Sequence, residues 1–130
     1  MNQTATAYPS SDAIAALAVE ALEDVKGKEI VNLDTRELTS LFNRLVVCTG
    51  DSNRQVKSLA NSVHVKLKEN GVDIVGTEGE LSGEWVLVDA GDVVIHVMLP
   101  AVRDYYDLEA LWGGKKPVFT PIPGKDWKAV

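Results

Sequence analysis

Residues 85–100 read WVLVDAGDVVIHVMLP. Two apolar runs of alternating character flank a short stretch containing Gly, so the segment reads as a β-hairpin. With Ala90-Gly91 as a two-residue loop, Asp89 pairs with Asp92, Val88 with Val93, Leu87 with Val94, Val86 with Ile95 and Trp85 with His96. Side chains alternate across a strand. One face then holds Val86, Val88, Val93, Ile95, Val97 and Leu99, wholly aliphatic, and is the core side. The other holds Trp85, Leu87, Asp89, Asp92, Val94, His96 and Met98. It is too apolar for a solvated surface and too polar for a dry core. Two readings of it stand level: a surface that docks a protein partner, or a face covered by another helix of the same domain.

Outward from the hairpin, the chain alternates helical and strand patterns. Ser11 or Asp12 is placed to cap a first helix with Ile14, Leu17, Ala18, Ala21, Leu22 and Val25 as its apolar stripe, and Gly27 as its stop. Glu20, Glu23 and Asp24 lie on the outer, solvated face. A short strand follows through Ile30, Val31 and Leu33, and the segment RELTSLFNR forms a helical turn. LVVCTG is a continuous apolar run, as expected of a strand buried on both faces. Cys48 within it reads as an inert buried thiol. Ser52 and Gln55 open a second helix as a capping box, Val56, Leu59, Ala60, Val63 and Leu67 form its core stripe, and Asn70-Gly71 closes it. Its opposite face aligns Arg54, Lys57, Asn61, His64 and Lys68, either for solubility or as a small basic ledge touching an RNA backbone. VDIVGTEG is a third strand candidate. Pro100 suits the first turn of a last short helix, whose cluster of Val102, Tyr105, Tyr106, Leu108, Leu111 and Trp112 is aromatic-rich. The expected fold is therefore α/β (mixed α+β): a central mixed β-sheet flanked by helices, in one domain over residues 1–114, with a loosely ordered tail at 115–130.

The totals narrow the function classes. The chain has 130 residues, 45% of them hydrophobic and 25% charged, one domain's worth of a soluble globular protein. A net charge of −6 and a pI near 4.8 argue against broad binding to nucleic acid. One cysteine excludes an internal disulfide framework and favours a reducing compartment. The first residues, MNQTATAYPSSD, lack the basic and apolar regions of a secretory signal, and no run is long enough to span a bilayer. Cytosol is the simplest location.

The catalytic readings are thinner. Asp89 and Asp92 projecting together are a candidate cation pair, and TGDSNRQ resembles a phosphate-holding strand-to-helix turn. Together they frame an alternative, a metal-dependent enzyme of nucleotidyltransferase type using Asp89 and Asp92. Carboxylates beside a turn more often cap it. His96 lacks an evident nucleophile, and no G-x-S-x-G, P-loop, HExxH or CxxC motif accompanies it. No cofactor, metal or catalytic residue is assigned.

Three segments in this order and spacing, VCTGDSNRQVKSLA, WVLVDAGDVVIHVMLP and RDYYDLEALWG, closely resemble the ribosomal silencing factor (RsfS, or Iojap-like) family from about Ile14 to Gly114. The resemblance implies a nucleotidyltransferase-like fold without that activity. It implies binding to the large ribosomal subunit through ribosomal protein L-fourteen, steric blocking of small-subunit joining, and lowered translation when nutrients run short. It also implies that the free protein can form homodimers; the basic ledge on the second helix adds at most a minor ribosomal RNA contact. The mixed hairpin face fits such a partner: the expected partner-binding residues are Trp85, Leu87, Asp89, Asp92, Val94, His96 and Met98, extended by Arg103, Tyr105 and Tyr106; Trp112 is expected to pin the last helix to the core. The chain departs from the family pattern at Ser40, Leu41, Phe42, Asn43, Arg44 and Leu45, where an S-x-T-D-Y-F-like run is common. It departs again at Ala90, where an aromatic is frequent.

Overall fold

The structure, a computed structural model, describes residues 7–107. The expected boundary at 114, the tail, and Leu108, Leu111 and Trp112 lie outside the described residues. Eight elements follow in order: α1 (Ser11–Asp24), β1 (Lys28–Asp34), β2 (Arg44–Thr49), α2 (Asn53–Glu69), β3 (Gly76–Glu78), β4 (Trp85–Asp89), β5 (Val93–Met98) and α3 (Pro100–Tyr106). The strands form one mixed sheet in the order β1-β2-β5-β4-β3, with only the β2–β5 pair parallel.

The parallel pair is the centre of the fold. β2 is buried from Leu45 to Thr49 because both its faces are covered. Val46 and Cys48 face a large core with α1 and α2. Leu45 and Val47 face a smaller cluster with Val102 and Tyr106 of α3. The larger core takes the aliphatic hairpin face, Val86, Val88, Val93, Ile95 and Val97, all fully buried. Ile14, Ala18, Leu22, Val56, Leu59 and Val63 meet them from the two helices. Ala15, Ala18 and Ala21 let the helices approach closely, and Ser62 Oγ donates to Ala21 O at 2.9 Å across the seam.

Local details correct several expectations. The cap of α1 is Ser10, whose Oγ accepts from Ala13 N at 3.1 Å, one residue earlier than anticipated. Gly27 does not supply a left-handed residue; Lys26 does, at φ 62°. Gly27 supplies room instead, since a Cβ there would sit 2.4 Å from Cys48 Sγ. Glu20 and Asp24 are not merely solvated, for Lys66 Nζ reaches them at 2.6 and 3.3 Å and links the helices. The α2 cap holds as read: Gln55 N donates to Ser52 Oγ at 3.1 Å, while Gln55 Oε1 accepts from Asp51 N at 2.6 Å. RELTSLFNR contains one helical turn, with the amides of Leu38 and Thr39 both donating to Thr35 O.

Candidate functional site: the second face of the sheet

The hairpin does turn over two residues, but they are Gly91 and Asp92. Ala90 N donates to Val93 O at 2.9 Å, and Asp89 pairs with Val94, Val88 with Ile95, Leu87 with His96, Val86 with Val97 and Trp85 with Met98. Gly91 has φ 84° while Asp92 is not in the left-handed region, the pattern of a loop whose first residue must be Gly. The pairing is thus displaced by two residues from the sequence expectation. A displacement of two leaves every side chain on its own face, so the division into an aliphatic face and a mixed face stands. The direct pairs Asp89–Asp92 and Trp85–His96 do not exist.

Among the described residues α3 is the one helix on the mixed face, and it divides that face in two. At the α3 end Met98 is fully buried, so it presents no surface. Arg103 is buried as well, 7% exposed, with Nη1 donating to Glu29 O at 2.5 Å and to Thr49 Oγ1 at 2.8 Å. It ties α3 to β1 and β2 rather than standing outward. Trp85 and Tyr106 pack ring against ring with centroids 4.8 Å apart, and Tyr105 lies 5.7 Å from Tyr106. Beyond α3 the face opens: Trp85, Leu87, Asp89, Val94 and His96 are all half-exposed, and Asp92 is exposed. A helix of the same domain therefore covers one part of this face and leaves the rest half-exposed.

The open part continues onto residues that sequence reasoning did not assign to it. Leu33 on β1 and Phe42 before β2 pack in the same small cluster as Trp85 and Val94. The parity of β1, with Leu33 opposite Leu45, was the available signal; Phe42 lies in an irregular segment where no periodicity could have placed it. The strip thus runs from Leu33 and Phe42 to Val94, Trp85 and Leu87, apolar but for His96, and ends in the acidic turn.

Its polar groups are held in defined states. Trp85 Nε1 donates to His96 Nδ1 at 2.9 Å, a diagonal contact between neighbouring strands. Burial pushes His96 down to about 4, so the imidazole is neutral at physiological pH. Asp89 Oδ1 accepts from Gly91 N at 2.8 Å and so caps its own turn. Asp92 contributes its backbone carbonyl, accepting from Asn43 N and Arg44 N and fastening the turn to β2.

Among the described residues, the Asp92 turn and the TGDSNRQ turn are not brought together. Asp92 sits where β2 begins, and Ser52 follows the other end of that strand, since Arg44 pairs with Val93 and Thr49 with Met98. Five residues of strand separate the two ends, about 16 Å. Among the described residues no three His, Cys, Asp or Glu side chains converge as a metal site would need. Burial lifts the Cys48 thiol to about 11, which leaves it unreactive. The basic ledge on α2 lies on the opposite side of the sheet. Its Lys57, Asn61 and His64 line a cleft of about 300 Å³ whose other wall includes Glu80. Among the described residues no helix is long and apolar enough to cross a membrane.

Comparison with known proteins agrees with this architecture. Residues 8–128 match the family described as "Ribosomal silencing factor during starvation". The chain is 74% identical over 117 residues to the ribosomal silencing factor RsfS of Chromobacterium violaceum, covering 90% of this chain and 96% of that one. It is 35% identical over 100 residues to the Haemophilus influenzae RsfS, covering 77% and 98%. A crystal structure of a Chromobacterium violaceum protein superposes with a TM-score of 0.80 at 71% identity, covering 92% of this chain and all of the other. With the sequence motifs, the mixed sheet and these relatives in agreement, the chain belongs to the ribosomal silencing factor family.

Proposed function

We propose that this protein binds the large ribosomal subunit through ribosomal protein L-fourteen and sterically blocks joining of the small subunit, repressing translation when nutrients are limiting. The mechanism needs no chemical step, and the action takes place in the cytoplasm. The observation that carries the reading is the open part of the mixed face: an apolar strip of Leu33, Phe42, Trp85, Leu87 and Val94 beside an acidic turn. Apolar anchors bounded by polar groups are what a specific protein interface requires. The net charge of −6 favours encounter with a basic ribosomal protein. Of the residues expected from the sequence to bind the partner, Trp85, Leu87, Asp89, Asp92, Val94 and His96 form this surface, and Tyr105 and Tyr106 border it. Any contact with ribosomal RNA, through the α2 ledge, is secondary. The same strip serves a second copy of the chain when the protein is free.

Leu87→Glu is the cleanest test, because the side chain is half-exposed and makes no hydrogen bond that a fold would miss. Sedimentation with purified large subunits and light scattering of subunit joining should show at least a ~30-fold loss of binding, the size of a lost anchor of about 2 kcal/mol. Val65→Ser, on the exposed outer side of α2, should behave as the unaltered protein. Equal behaviour of the two variants, or no co-sedimentation of the unaltered chain, would refute the proposal.

A further inference from the structure

Trp85 does more on this face than offer an aromatic surface. An indole N–H only donates, so its 2.9 Å bond to His96 Nδ1 requires a lone pair on that nitrogen. The proton of a neutral imidazole must then sit on Nε2. Among the described residues that Nε2–H meets no acceptor: the bond from Trp85 is the one hydrogen bond of this side chain. The cross-sheet neighbours of His96, Leu87 on β4 and Val47 on β2, are apolar and offer none. Among the described residues the titratable groups sharing the face are Glu78 on β3, across Leu87 from His96, Asp89 on β4, Asp92 in the turn, and Arg103, Tyr105 and Tyr106 on α3. Asp89 is engaged with Gly91 N and Arg103 with Thr49. An oriented donor, half-buried and without an acceptor among the described residues, therefore lies in the middle of the apolar strip.

We infer that the Trp85–His96 bond fixes His96 as a neutral Nε2–H donor whose acceptor is a backbone carbonyl of the ribosomal protein partner. The acidic turn beside it decides between acceptors. A partner carboxylate or phosphate placed at His96 would also face Asp89 and Asp92 and be repelled, whereas a carbonyl carries no net charge. Neutrality matters for the same reason in reverse, since an imidazolium here would repel a basic partner. Trp85 is in this respect a positioning residue: it sets the tautomer, and His96 makes the contact. This inference rests on the proposed docking of the face.

Two measurements test it. Long-range ¹H–¹⁵N correlation spectra of the free full chain report the tautomer directly. The Nε2–H form is expected at pH 7, and an Nδ1–H form would overturn the inference whatever the ribosome does. Affinity for purified large subunits is then compared for the unaltered chain, His96→Gln and His96→Phe, each checked by thermal melting. Gln keeps an N–H donor within reach and should bind within roughly three-fold. Phe fills the space but leaves a desolvated carbonyl unpaired, and should bind about ten-fold more weakly. If His96→Phe binds as well as the unaltered chain, the inference fails while the docking proposal stands. If the unaltered chain itself does not bind large subunits, it is the docking proposal that fails.

Discussion

The burial of His96 makes the stability of this protein depend on pH in a way that one substitution removes. In the native state the group titrates near 4, and its ordinary value is 6.5. Between those values the unfolded chain holds the extra proton, so stability falls as pH falls and is fully recovered above about 6.5. One group with these two values withdraws about 2 kcal/mol between pH 7 and pH 5, and roughly 3 kcal/mol once pH passes below 4. For a domain of this size 2 kcal/mol lowers the melting temperature by roughly 10 °C. Among the described residues, Asp34 is the other acidic-side group with a shifted value, held low by hydrogen bonds from Arg36. Its contribution is lost only below its ordinary 3.8 and does not enter this window. His96→Asn keeps an oxygen near the position of Nδ1 for the Trp85 N–H and cannot titrate. Urea denaturation of both chains at pH 7 and pH 5 isolates the effect. The unaltered chain should lose about 2 kcal/mol more than the variant over that interval. Equal losses would mean that His96 is freely hydrated and that the Trp85 contact does not hold it neutral.

Two further substitutions probe how the open face is supported from behind. Gly27→Ala places a methyl group 2.4 Å from Cys48 Sγ and 3.1 Å from Leu59; chemical denaturation should show a loss of about 1–3 kcal/mol, and Cys48→Ala in the same chain should restore part of it. Ser52→Ala removes the acceptor for Gln55 N at the start of α2 and should cost about 1 kcal/mol by the same assay, with large-subunit binding unchanged because α2 packs on the other side of the sheet.

The sequence carried the faces of this fold better than its pairings. Alternation assigned every residue of β4 and β5 to the correct side, because a side chain's face depends on parity along its own strand. The loop could not be fixed in the same way. Ala90-Gly91 and Gly91-Asp92 are both two-residue loops containing Gly, and they differ only in whether that Gly comes second or first. Backbone geometry made the choice, together with the bonds from Asn43 and Arg44 to Asp92 O. Long-range roles were equally hidden. Arg103 read as an interface residue, an extension of the hairpin surface with Tyr105 and Tyr106. Its partners, Glu29 O and Thr49 Oγ1, lie 74 and 54 residues away in sequence. A faint signal was present in Thr49, a polar side chain closing an otherwise apolar, doubly buried strand. The capping box of α2 and the doubly buried β2 were legible because both depend on neighbours a few positions apart.

The physical states of His96, Asp89 and Cys48 accord with the proposed binding role of this face. A catalytic site needs a titratable group poised near working pH and free to exchange a proton. His96 is held neutral well below that range by burial, and its Nδ1 is occupied by Trp85. Asp89 closes its own turn. Cys48 is sealed in the core with its thiol at about 11. His96, Asp89 and Cys48 are thus each used to hold a shape. The shape held is a strip of half-exposed apolar side chains with one directed donor near its middle and carboxylates at its end. An interface gains from that arrangement in two ways. Side chains already fixed by packing lose little entropy when a partner arrives. A donor with a single orientation rejects partners that place no acceptor opposite it. Burying Met98 and Arg103 under α3 contributes to both, because the helix that covers them also clamps Tyr106 against Trp85, and Trp85 in turn orients His96.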